Sequence, residues 1–84
     1  PQEGRSVVFP TPANGFINIA FNLAQRENLA IRIISSTGQL VHEDSFPNTL
    51  NQTYTFSTEL FRNGLYIVQI TGPSVNEIKK LFIN

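Results

Sequence analysis

Few side chains in this sequence have acid–base or metal-binding chemistry, and their spacing does not favour a site. His42 is the only histidine, Glu43 and Asp44 follow it, and cysteine is absent. Successive side chains of a strand point to opposite faces, so Glu43 and Asp44 do not form a carboxylate pair. One histidine without cysteine is not a zinc ligand set, and no Gly-x-Ser-x-Gly turn presents a serine nucleophile. The sequence therefore predicts no enzyme activity, no metal and no cofactor, with His42 as a solvated strand residue.

The basic residues are too few to predict a polyanionic partner. Six basic and six acidic residues give a formal net charge of zero at pH 7, and Lys79–Lys80 is the only adjacent basic pair. A chain without net charge exerts no long-range attraction on nucleic acid or an anionic membrane. No apolar run approaches the roughly 18 residues of a membrane-spanning helix. We therefore expect no nucleic-acid partner and no small-molecule substrate.

Alternating apolar residues, broken by turn residues, indicate an all-β domain. Seven short strands are predicted, at 7–9, 16–22, 29–35, 40–45, 52–57, 65–71 and 77–83. Strands spaced about 8–12 residues apart are typical of a sandwich or small barrel. The length of 84 residues fits one domain. Because residues 1–6 are polar and the chain opens on Pro1, we expect them to be a linker from a preceding domain, with one domain over 7–84.

The same alternation predicts which side chains face the core. The predicted core set is Ile17, Ile19, Phe21, Leu29, Ile31, Ile33, Tyr54, Phe56, Tyr66, Val68 and Ile70. Leu65 and Ile67 alternate with Tyr66, so they are predicted to point outward as a candidate docking face. The last strand is ambiguous, since Leu81 and Ile83 occupy one parity while Ile78 and Phe82 occupy the other.

Residues with special backbone preferences separate the strands. Pro10 and Pro12 have no N–H donor, so they predict a stiff connector or an edge. Asn14–Gly15 and Gly38 tolerate positive φ and predict turns. Residues 46–51 are predicted to form a loop. In the connection after residue 57, either Leu60 or Phe61 is expected to fill the core.

Three stretches together resemble the C-terminal sorting domain of proteins exported by the type IX (Por) secretion system. They are VVFPTPANGFINIAF at 7–21, LAIRIISSTGQLV at 29–41, and LFRNGLYIVQI at 60–70 followed by KKLFIN at 79–84. The positions that match the family pattern are Pro10, Pro12, Asn14, Gly15, Gly38, Leu40, Val41, Gly64, Tyr66, Lys79 and Lys80. Thr11 departs from it, because the family usually has asparagine between the two prolines.

The resemblance implies an immunoglobulin-like sandwich of seven antiparallel strands that acts as an address and not as an enzyme. A passenger domain joined before it would reach the periplasm of a Gram-negative bacterium and cross the outer membrane through the type IX machinery. The passenger would then stay at the cell surface or be released. A sortase-like peptidase would cut the linker and attach the passenger at the surface. On this implication, the matching positions form a candidate sorting signal.

The residues alone leave two other interpretations open. One is a carbohydrate- or protein-binding β-sandwich appended to a secreted enzyme, and the other is a structural spacer. Sugars stack on exposed flat aromatic rings, but tryptophan is absent and both tyrosines, Tyr54 and Tyr66, fall on the predicted core face. The sequence therefore favours the sorting domain over a sugar-binding module.

Overall fold

The computed structural model describes residues 6–10 and 12–84, which form two packed antiparallel sheets. The strands are β1 (Ser6–Phe9), β2 (Phe16–Phe21), β3 (Glu27–Ser35), β4 (Leu40–Thr49), β5 (Thr53–Ser57), β6 (Gly64–Thr71) and β7 (Asn76–Ile83). One sheet has the order β1-β2-β5 and the other β4-β3-β6-β7. The predicted seven-stranded, immunoglobulin-like sandwich is confirmed. The linker predicted over residues 1–6 lies, apart from Ser6 in β1, outside the described residues.

The core lies between the sheets, and alternation along each strand fills it. The buried apolar side chains of β2, β3 and β6 are Ile17, Ile19, Phe21, Leu29, Ile31, Ile33, Tyr66, Val68 and Ile70, while Tyr54 and Phe56 of β5 are partly buried against them. The predicted core set is therefore confirmed. Branched side chains at these positions pack well on a pleated surface, and each full burial stabilises the fold by about 1.5–3 kcal/mol.

The last strand buries Leu81 and Ile83 and exposes Ile78 and Phe82. The register explains this choice. Leu81 lies opposite Tyr66, which faces the core, whereas Phe82 lies opposite Leu65 on the outer side of the sheet. Side chains of directly paired residues point to the same face. Pairing with β6 therefore determines which side chains of β7 face the core, a choice that the sequence left ambiguous.

Strand β4 continues to Thr49, so the prediction of a loop over 46–51 is wrong for its first part. Phe46 pairs with Leu29, and Pro47 is tolerated because β4 is an edge strand that needs no second ladder of hydrogen bonds. A register shift beside Asn28 accommodates the extra length, and the Asn28 side-chain oxygen accepts a hydrogen bond from the Asn48 backbone N–H at 2.9 Å.

Across residues 6–10 and 12–84 there is no helix with the length and apolar character required to cross a membrane.

Candidate functional site

The first candidate motif is hydrogen-bonded to the last strand. Ala13 forms an isolated parallel bridge with Ile83. Its N–H donates to the Phe82 carbonyl at 2.6 Å, and its carbonyl accepts from the Asn84 N–H at 2.9 Å. Ala13 is fully buried. The small residue after Pro12 therefore pairs the opening motif with the far end of the sequence, a contact that sequence analysis missed because no local pattern encodes it.

Gly15 and Gly64 connect the Ala13–Ile83 bridge to neighbouring parts of the sandwich. Gly15 adopts a φ of 95°, and its carbonyl accepts from the Thr58 N–H at 3.0 Å. Gly64 adopts a φ of 149° and lies opposite Ile83 in the β6–β7 ladder. Both backbone conformations are ones that L-residues with a Cβ rarely adopt. The turn predicted at Asn14–Gly15 is confirmed.

The middle motif reaches the same end of the sandwich through the β3–β4 turn. Gly38 has a φ of 88°, and its N–H donates to the Ser35 carbonyl at 2.9 Å. Ser35 in turn lies opposite Tyr66 in the β3–β6 ladder. Leu40 and Val41, the first residues of β4, are 49% and 37% exposed. The turn predicted at Gly38 is confirmed.

We call this end of the sandwich the motif end; of the described residues it comprises 10, 12–15, 36–41 and 58–66 together with Ile83 and Asn84. It gathers Pro10, Pro12, Asn14, Gly15, Gly38, Leu40, Val41, Gly64 and Tyr66, which are far apart in the sequence. The opposite end carries Ser6, which pairs with Phe21, and the turn after β6, where the Ser74 N–H donates to a Glu27 carboxylate oxygen at 3.0 Å.

A cleft of about 790 Å³ opens at the motif end between the β3–β4 turn and the connection after β5. Phe61 forms one wall and stacks on Tyr66 with ring centroids 5.7 Å apart, while Leu60 is 95% exposed at the rim. Phe61, and not Leu60, therefore packs against the core. Tyr66 is buried and its hydroxyl donates to the Arg62 carbonyl at 2.7 Å, which fixes the connection to β6.

His42 lies at the side of this cleft and is half-buried with its Nε2 atom enclosed, so the prediction of a solvated strand residue is wrong for that side of the ring. Its ring centroid is 5.4 Å from that of Phe56, in an edge-on arrangement, and 6.4 Å from that of Phe61. Its Nε2 atom is buried without a hydrogen-bond partner among the described residues. His42 faces inward because it pairs with Ile33, whose side chain is in the core. It is a packing residue on an edge strand.

The two adjacent lysines have different environments. Lys79 pairs with Val68 and points to the inner side of the edge strand, where its Nζ is 3.6 Å from a Glu77 carboxylate oxygen. Glu77 also accepts a hydrogen bond from the Ser6 hydroxyl, which links β7 to β1. Inward charges on an edge strand discourage pairing with other chains. Lys80 points outward and has no ion pair or hydrogen bond with any described residue.

Leu65 and Ile67 point outward as predicted, on the outer side of the four-stranded sheet, although their neighbours leave them only partly exposed. We call this side the outer face. Its apolar members are Ile34 and Leu40 across from each other on β3 and β4, Leu65 and Ile67 on β6, and Ile78 and Phe82 on β7. Phe82 is 51% and Ile78 65% exposed. These side chains form one apolar patch across all four strands, of which the sequence analysis predicted Leu65 and Ile67.

No cluster of three or more histidine, cysteine, aspartate or glutamate side chains capable of holding a metal occurs in the described part of the chain. The geometry offers instead a turn-rich end and an apolar sheet face, both of which suit contact with a macromolecule.

Comparison with known families gives a match that covers nearly the whole domain. The family model described as the secretion system C-terminal sorting domain matches residues 7–84. A search of curated proteins found no match. The matched region includes β2 to β7, all of β1 except Ser6, the motif end and the outer face. This chain belongs to the family of C-terminal sorting domains that direct type IX secretion.

Proposed function

We propose that the secretion machinery recognises this domain in its folded state, through surfaces that exist only when the sandwich has folded. Membership of the family makes the chain an export signal that acts with type IX machinery and a passenger. The observation that carries the proposal is the pairing of Ala13 with Ile83, which joins the opening motif to the last strand. Residues so far apart in sequence form one surface only after folding.

The candidate sorting signal is proposed to include the nine matching residues at the motif end. Leu40 and Val41 are exposed there, whereas Gly15, Gly38 and Gly64 shape the backbone around them. Leu65 and Ile67 are proposed as the centre of the docking face, with Lys79 stabilising the β7 edge and Lys80 available for contact.

The two ends of the sandwich are proposed to have different tasks. Ser6 lies at the end opposite the motif end, so a passenger joined before residue 7 would leave the motif end free. The sortase-like peptidase is proposed to cut within the predicted linker over residues 1–6, before Ser6, which is buried in β1. Cleavage there would release the domain after the passenger had crossed the outer membrane, and the passenger would be attached at the cell surface.

The alternative, a carbohydrate- or protein-binding module, has weaker support. Tyr66 is buried, and Tyr54 stacks on Phe46 with ring centroids 3.9 Å apart. Neither ring is a free platform on which a sugar could stack. A glycan-array signal that is lost on substitution of an exposed ring such as Phe82 would favour this alternative.

The test of the proposal is to fuse residues 1–84 to a neutral reporter in a host that has the type IX pathway. We expect the reporter outside the outer membrane with the wild-type domain and in the periplasm with a variant carrying Leu65→Ser and Ile67→Ser. Both side chains point away from the core, so the variant should still unfold cooperatively. Normal surface delivery of a folded double variant would refute the assigned docking face.

A further inference from the structure

Among the described residues, the outer face has a single charge without an ion-pair partner, that of Lys80, and it lies within the apolar patch. Lys80 lies between Ile78 and Phe82 along β7 and opposite Ile67 on β6. Directly opposed side chains on one sheet face have Cβ atoms about 4.5–5.5 Å apart, so these neighbours surround the stem of Lys80. The other basic residue of this face, Arg32, is already paired with Glu43, with its Nε 2.8 Å from a carboxylate oxygen.

A partner that covers this patch must also cover Lys80. Removing an ammonium group from water without an anion is strongly unfavourable, since desolvation of one unpaired charge exceeds the gain from the apolar contacts around it. Glu77 cannot serve as the anion, because it lies on the inner side of β7 beside Lys79. The compensating charge must come from the partner.

We propose that the outer face binds an apolar protein surface of the secretion machinery that carries a carboxylate placed against Lys80; this inference rests on the proposed function. The apolar residues supply contact area, and the single ion pair fixes the register of docking. A charge pair enclosed by apolar contacts discriminates between partners because a surface without the carboxylate leaves Lys80 buried and unpaired.

An anionic lipid surface fits these observations less well. Membrane-surface segments use clusters of several basic residues, each adding modestly to the attraction. The outer face offers only Lys80 in unpaired form among the described residues, and the whole chain has no net charge. One cation within a flat apolar patch suits one carboxylate of a protein.

Zero-length cross-linking provides a direct test. A carbodiimide couples an amine only to a carboxylate in contact with it, so we expect a covalent product between the reporter fusion and an outer-membrane protein, joined through Lys80. The Lys79–Glu77 pair serves as an internal control for reactivity. Lys80→Arg retains the charge but forms no amide, so it should retain delivery and lose the cross-link. Lys80→Glu should weaken binding by about 30-fold or more, as for loss of one member of a buried charge pair, and block delivery.

The outcomes separate the two proposals. A wild-type fusion that stays in the periplasm refutes the proposed function, and this inference with it. If the wild type, Lys80→Glu and Lys80→Gln are all delivered normally, the ion pair is refuted while the proposed function stands. The ion pair is also refuted if the Lys79–Glu77 cross-link forms but no cross-link forms through Lys80. Lys80-dependent binding to vesicles of anionic lipid would replace the protein partner with a membrane. Asn76→Glu is the control for added negative charge: it lies at the far end of the same strand and should be delivered normally. Lys80→Gln removes the charge without reversing it, so it keeps the test valid if Lys80→Glu unfolds the domain.

Discussion

Removing residues 80–84 is expected to unfold the domain and not merely to delete a recognised segment. Leu81 and Ile83 are 0% and 3% exposed, and each such burial is worth about 1.5–3 kcal/mol. The two backbone hydrogen bonds of Ala13 would also be lost, at about 0.5–1.5 kcal/mol each. The total of roughly 4–9 kcal/mol compares with about 4–13 kcal/mol for the stability of a chain of 84 residues. The shortened chain should therefore be largely unfolded.

Urea unfolding followed by circular dichroism measures this directly on the chain of residues 1–79 beside the full chain. Two neighbouring substitutions provide the matched comparison. Ile83→Ala empties a core position and should cost about 2–5 kcal/mol, whereas Phe82→Ala, at a 51% exposed position, should cost about 1 kcal/mol or less. If residues 1–79 unfold cooperatively at the same urea concentration as the full chain, the structural role assigned to the last strand is refuted.

Further substitutions test other parts of the fold. Gly38→Ala should cost about 1–2 kcal/mol in urea unfolding because the φ of 88° is unfavourable for alanine, although nothing lies within 4 Å of the added Cβ; an unchanged midpoint would contradict this. Gly72→Ala should cost about 1–3 kcal/mol for a different reason, since its Cβ would lie 2.6 Å from Leu29 Cδ2 and 3.2 Å from the Asn28 carbonyl oxygen; a neutral result would show that Leu29 moves aside freely. Arg32→Ala breaks an ion pair whose side chains are 56% and 51% exposed, so it should change the free energy of unfolding by less than about 1 kcal/mol. A larger interaction energy in a double-mutant cycle with Glu43 would show that this exposed ion pair stabilises the fold more than expected.

The alternating strands were predictable from sequence because their period of two is a local signal. Ile17 and Ile19, or Val68 and Ile70, identify their face without reference to any other strand. Tertiary pairing determined the remainder. Only the register with β6 assigns Leu81 to the core, and only the edge position of β4 allows that strand to continue through Pro47.

The candidate site was predictable as a set of residues but not as a surface. Glycine and proline positions indicated turns, yet nothing local indicates that Ala13 bridges to Ile83 or that His42 packs on Phe56. The different environments of Lys79 and Lys80 follow from strand alternation once β7 is placed at the sheet edge. The sequence alone could not place it there, because both parities of that strand carry apolar residues.

Residues that build the recognition surface differ from those that can contact a partner, and this distinction decides how variants should be interpreted. Gly15, Gly38 and Gly64 act through backbone conformation, so substituting them changes the folded surface as well as any contact. If a variant of one of these glycines is not exported, the result does not distinguish misfolding from loss of a contact with the machinery. Lys80 and Phe82 are exposed, and neither side chain fills the core. Loss of export in a folded variant at either position can therefore be attributed to a missing contact, which makes the outer face the place where recognition is separable from stability.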